Sequence, residues 1–286
     1  MSLDLPLPEP SAVPADARAP LSFIVLSNFF PAARRAVRYA AELAAPLGAQ
    51  LVLLHVREAT VLEGELLPDS PEREGDLLMA VQTLADEVYV PTSVELVGDL
   101  QLPTARALAR QYAPALFVLG RAADEDDEHE VGPAVLEVLR SGQFPLLLVP
   151  ETYPAAAPID RVLLAADGDA FNLDQPAAAL RLLGELRPSL TVATVSLIDD
   201  DLNCAAALRH AKANGLTEVA RHTTLQAVRH AYPWEGLLQT IDATRADLLV
   251  LVARRHSFLD AMFHRSVTNR LLRTSPVPVL VLPALD

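Results

Sequence analysis

Two short stretches hold most of the side chains that could do chemistry, and they carry opposite charge. Residues 254–256 read Arg254, Arg255, His256, and His264, Arg265 and Ser266 follow a few positions on. A guanidinium is a planar fork that holds phosphate or carboxylate through parallel hydrogen bonds, so this cluster fits an anion site. The bland alternative is solvent, or a salt bridge to the other stretch. That stretch is Asp124, Glu125, Asp126, Asp127, Glu128, His129, Glu130. It would repel a polyphosphate. Its carboxylates stand side by side rather than at the ordered spacing of a calcium loop, so a solvated acidic loop is the preferred reading over a metal site.

Nothing else points to catalysis. The chain has no Gly-x-Ser-x-Gly elbow, no His-Glu-x-x-His pair and no Walker loop. His55, His210, His222 and His230 are scattered, and His55 lies within an apolar run. Asp199, Asp200 and Asp201 beside Cys204 are explained by the start of a helix, where carboxylates complement the dipole. Cys204 is the single cysteine. It excludes an internal disulfide, fits a reducing compartment and reads best as a small buried residue. No catalytic residue and no metal are expected.

Both charged stretches follow the same kind of element. Leu248–Val252 is an unbroken apolar run, as a strand covered on both faces requires. Leu259, Met262, Phe263, Val267 and Leu271 then recur at helical spacing, Pro276 and Pro278 stop the helix, and Val277–Leu282 is a second buried strand. Residues 115–151 repeat that order: strand, polar loop, amphipathic helix, proline, strand. The copies lie roughly 130 residues apart, about one α/β domain length, so the chain reads as a tandem duplication. Upstream of each copy the pattern gives βαβαβα. The expectation is two doubly wound α/β domains with mostly parallel sheets, over residues 21–151 and 160–286. Residues 152–159 form the linker, and the Pro- and Ala-rich residues 1–20 a flexible tail. Within the first domain, 57–75 reads as an exposed polar connection and 77–88 as a helix. In the second, 218–225 reads as an alternating strand.

Composition narrows the partners. A net charge of -14 and a pI near 4.9 argue against nucleic acid and anionic membrane surfaces. No apolar run approaches the ~20 residues of a membrane span, and the first twenty residues lack the basic start and apolar core of a signal peptide.

With these segments in hand, the chain resembles the universal stress protein family in its tandem two-domain form. The resemblance rests on residues 23–56, on the Gly98–Asp99 pair before the third helix, and on residues 263–283. It implies a five-stranded sheet of order 3-2-1-4-5 in each domain. It also implies pairing through the last strands, which places 145–149 against 277–282. Nucleotide-binding members carry Gly-x2-Gly-x9-Gly-Ser/Thr after the fourth strand, where glycines let backbone N–H groups approach phosphate. Without gaps, those positions in the second domain are Val252, Arg255, Arg265 and Ser266, so only the hydroxyl survives. In the first domain Gly120 fits, Ala123 replaces the second glycine, and Gly132 is followed by Pro133, which has no N–H to donate. Asp167 takes the first-strand position that sits beside the adenosine in binding members, and Asn28 takes it in the first domain. Asp167 next to Gly168 is equally readable as a strand-end turn. Val56 and Val195 match the position whose backbone meets the base.

The resemblance therefore implies a cytoplasmic, non-enzymatic stress-response protein that works through protein partners, with a homodimer as one form. The alternative is an adenine-nucleotide switch or slow ATPase using the second domain alone. Its candidate residues are Asp167, Val195, Arg254, Arg255, Arg265 and Ser266. No cofactor is expected, with ATP reserved for that domain.

Overall fold

The computed structural model describes residues 19–27, 30–56, 61–62, 65–66, 71–123, 143–156, 158–197, 201–254 and 267–285. The tail, the acidic loop 124–130, Asn28 and the stretch from Arg255 to Ser266 lie outside the described residues.

In the first half, β1 (Ser22–Leu26), β2 (Gln50–Val56), β5 (Thr92–Val97), β6 (Ala115–Arg121) and β7 (Leu146–Pro150) alternate with α1 (Pro31–Leu47), α2 (Pro71–Asp86) and α3 (Leu102–Gln111). The second half has β8 (Arg161–Ala165), β10 (Ser189–Ser196), β11 (His222–Arg229), β12 (Leu248–Arg254) and β13 (Val279–Leu285). Its described helices are α4 (Ala177–Leu186), α5 (Asp201–Ala213), α6 (Pro233–Thr244) and α7 (Val267–Thr274). The sheet runs β11-β10-β8-β12-β13-β7-β6-β1-β2-β5. Each half is thus a parallel sheet of order 3-2-1-4-5. The halves join antiparallel through β13 and β7, with Val279 opposite Leu148, Leu280 opposite Leu147 and Val281 opposite Leu146.

The inner strands are buried on both faces, and successive side chains feed two cores. Phe23, Val25, Leu147, Val162, Leu164 and Leu280 face one core, covered by α1, α2, α4 and α5. Ile24, Leu146, Leu163 and Val279 face the other, covered by α3, α6 and α7. Each core runs unbroken across the seam between the halves.

Three elements depart from expectation. The 57–75 connection contains a short antiparallel pair, β3 (Val61–Leu62) with β4 (Glu65–Leu66), and α2 begins at Pro71 rather than 77. Proline at a first helical position sacrifices no hydrogen bond, which allows the earlier start. The alternating strand lies at His222–Arg229, four residues later than 218–225. Its register is set by β10, where Ser189 faces His222, and alternation alone is blind to that pairing. Finally, β9 (Asn172–Leu173) pairs with the end of β13, which continues past Pro283 to Leu285. Two residues are too few to leave a periodic signal.

The linker is pinned to both halves. Tyr153 packs edge-on against Tyr39 of α1, at 5.8 Å between ring centroids, and donates its hydroxyl to the Asp247 carbonyl oxygen. The Asp247 carboxylate accepts from the backbone N–H groups of Asp160 and Arg161 and from the Arg161 guanidinium at 3.0 Å. Arg121, the last residue of β6, crosses the seam. Its guanidinium donates to the carbonyl oxygens of Leu272 (3.1 Å) and Ser275 (2.7 Å), at the C-terminus of α7. A cation there complements the helix dipole and satisfies carbonyls left over at the helix end.

Candidate functional site

An open α/β sheet leaves a crevice beyond the carboxyl ends of its strands where the strand order reverses. In the second half the reversal falls between β8 and β12. A cleft of about 250 Å³ opens there. Ala165, Ala166 and Asp167 at the end of β8, Val195 of β10 and Leu251, Val252 and Arg254 of β12 form its base. Pro233 and Leu237 of α6, Val267 and Thr268 of α7, and Phe171 form its walls. The lining is mostly apolar, with Asp167, Arg254 and Thr268 as its polar members, the composition of a small-molecule site.

Two backbone approaches shape the crevice. Gly168 follows Asp167 at φ 86°, in the left-handed region, and a Cβ there would lie 1.6 Å from the Asn203 side-chain oxygen of α5. Only glycine fits. The turn is also held from Asp167, whose carboxylate accepts the Asp169 backbone N–H at 3.1 Å. On the opposite wall, Gly236 lets α6 approach β10, because a Cβ there would meet the Val195 side chain at 2.8 Å.

The structure brings Asp167, Val195 and Arg254 to one cleft. Arg254 is already engaged. Its guanidinium spans both carboxylate oxygens of Asp167 at 3.2 and 3.3 Å, reaches the Ala170 carbonyl oxygen at 3.4 Å and pairs with Asp169 at 3.7 Å. The salt-bridge reading of this arginine is the observed one, with partners inside its own domain. The pair is wet on one side, since Arg254 is 24% exposed and Asp167 64%. Such exposed pairs contribute about 0–1 kcal/mol, so a ligand could break it cheaply. Arg255, Arg265 and Ser266 lie outside the described residues.

Sequence reasoning missed Phe171, Thr268, Pro233 and Leu237. A signal existed for Pro233: a proline that opens a helix after a strand puts that helix's first turn at the crevice. Phe171 and Thr268 left none.

In the first half the residue equivalent to Val252 is Gly120, and packing accounts for it. A Cβ at Gly120 would lie 2.1 Å from the Ala32 carbonyl oxygen and 2.8 Å from the Ala33 nitrogen of α1. Elsewhere, the His55 ring nitrogen Nδ1 lies 2.8 Å from the Ser27 carbonyl oxygen, within hydrogen-bond distance, and Cys204 is buried. Among the described residues no cluster of three or more His, Cys, Asp or Glu could hold a metal ion, and no helix is long and apolar enough to cross a membrane.

Comparison with known proteins places this geometry. The universal stress protein family model matches residues 24–150 and again 159–283. Among solved structures, a universal stress protein from Archaeoglobus fulgidus is 15% identical, with 91% of this chain and 97% of that one covered at a TM-score of 0.65. A putative universal stress protein from Pseudomonas aeruginosa is 17% identical, with coverage of 92% and 93% and a TM-score of 0.53. The cytoplasmic domain of a prokaryotic cation chloride cotransporter is 14% identical, with coverage of 93% and 95% and a TM-score of 0.52. At these identities the likeness shows the fold. No curated protein sequence matches the chain.

Proposed function

The chain belongs to the universal stress protein family, and from that premise we propose that it is a non-enzymatic stress-response module acting through protein contacts. The observation that carries this reading is the state of the phosphate loop. The family's glycine positions in the second domain are Val252, Arg255 and Arg265. The one described arginine that could stand in for them, Arg254, is turned onto Asp167 and Asp169. In the first domain the retained Gly120 serves the packing of α1. Both last strands are flanked on each side, β13 by β12 and β7, and β7 by β6 and β13. A homodimer must therefore use another face. The test is release of phosphate from Mg-ATP by the purified full-length protein, beside analysis of the protein as isolated for carried nucleotide. Neither is expected; turnover above a buffer control would overturn this reading.

One observation favours the second reading, an adenine-nucleotide switch confined to the second domain. The 250 Å³ cleft is lined by both Asp167 and Val195. Nucleotide found at one equivalent per chain, and lost on Asp167→Ala, would favour that reading.

A further inference from the structure

A second polar recess lies on the seam, away from the cleft of the second domain. It measures about 100 Å³ and is walled by Arg106 and Arg110 of α3, by Gln143 and Phe144 before β7, and by Asp174 and Gln175 after β9. Taking a water's share of liquid volume as roughly 30 Å³, the space equals about three waters, room for a small oxyanion whose bonded atoms pack closer than separate waters. Both halves contribute to the walls.

The charges are not balanced. Arg106 and Arg110 stand one turn apart on α3, a like-charge spacing that costs the helix stability unless an anion sits between them. Arg106 is steadied by Gln143, whose side-chain oxygen accepts from its Nη2 at 2.7 Å, so one of its five N–H donors is used. Among the described residues no hydrogen bond or ion pair holds the Arg110 guanidinium. Asp174 supplies one carboxylate against the two cations. Across the recess the backbone is fixed: the Asp174 N–H donates to the Pro283 carbonyl oxygen at 2.7 Å. Gln175 is held at φ 48°, a left-handed conformation that costs a residue with a side chain energy. In a chain of net charge -14, such a recess is a local sink for anions.

We infer that this recess binds a phosphate group, with Arg106 and Arg110 as its cationic clamp and the amides of Gln143 and Gln175 as neutral donors. The bound group bridges α3 of the first half and the β9 segment of the second. Occupancy would stiffen the seam independently of any ligand in the second-domain cleft.

The experiment is calorimetric titration and thermal unfolding of the full-length protein with inorganic phosphate, against sodium chloride at equal ionic strength. Glycerol 3-phosphate in parallel separates free phosphate from a phosphate ester, according to which binds tighter. Arg110→Gln should weaken phosphate binding about tenfold or more, the scale of one lost charge-assisted hydrogen bond. Asp174→Asn should strengthen it, an opposite sign that a purely structural role would not give. Both positions are at the surface or half-buried, and unchanged far-UV circular dichroism confirms the fold. Equal stabilisation by chloride and phosphate, or parental affinity in both variants, would overturn the proposal.

Discussion

The two halves share a strand order and a core, yet spend neighbouring arginines in opposite directions. In the first half Arg121 leaves its own domain and caps α7 of the other. In the second, Arg254 stays at home and closes on Asp167. The ladder shows that they are not equivalent residues: Leu119 faces Leu148, while Leu251 faces Val281, so Arg121 matches Ala253. The same difference marks the crevices. Gly120 packs directly against the backbone of α1, whereas its counterpart Val252 lines the second-half cleft. Duplication preserved the scaffold while the strand ends diverged: Arg121 serves the seam, and Arg254 closes on Asp167 beside a cleft.

The comparison breaks most visibly at Gly120. Gly120→Ala forces a Cβ onto the backbone of Ala32 and should cost roughly 3 kcal/mol, read as a fall in the urea midpoint at unchanged slope. A cost below about 1 kcal/mol would mean that α1 does not press on β6 as described. Next comes the seam. Arg121→Ala removes two charge-assisted bonds to half-buried carbonyls, for a loss of roughly 2 kcal/mol. Arg254→Ala, on a wet pair, should cost under about 1 kcal/mol. If chemical denaturation ranks those two variants the other way, the contrast between exported and domestic arginine fails.

The smallest effects concern the tyrosines that pin the linker. Burial, then the nearby Asp247 charge, pushes Tyr153 from its ordinary 10 up to about 12, and burial raises Tyr39 further. A raised pKa favours the protonated form in the folded state. That contribution is complete below pH 10 and fades as pH climbs to about 12. Unfolding midpoints should therefore drop across that window, and Tyr153→Phe should flatten the drop; an equally steep fall in the variant would assign it elsewhere. The Tyr39 hydroxyl is buried without a partner among the described residues. Tyr39→Phe should thus be neutral or slightly stabilising near pH 7, because it deletes an unsatisfied polar group.

How much could be read in advance follows from what each feature depends on. Buried strands such as β12 and β7 announce themselves by the unbroken apolar runs Leu248–Val252 and Leu146–Val149, and the repeat announces the duplication. The register of β11 against β10 was hidden, because an edge strand with exposed alternate residues tolerates a slip in the text that hydrogen bonding does not. At the site, Asp167 and Arg254 were legible as charges but not as partners, since 87 residues separate them and only the sheet brings their strand ends together. Phe171 was invisible because an aromatic in a loop has no pattern to belong to.

The proposed loss of the phosphate grip found in nucleotide-binding members of the family is directly testable. Calorimetric titration of Mg-ATP into the full-length protein, cleared of carried nucleotide, tests it most directly. With the seam recess disabled by Arg110→Gln, no heat and no thermal stabilisation are expected up to millimolar ATP, which excludes affinities in the second-domain cleft tighter than about -4 kcal/mol. Saturable binding at one site per chain, abolished by Asp167→Ala together with Arg254→Ala, would contradict it and make the second domain a nucleotide switch.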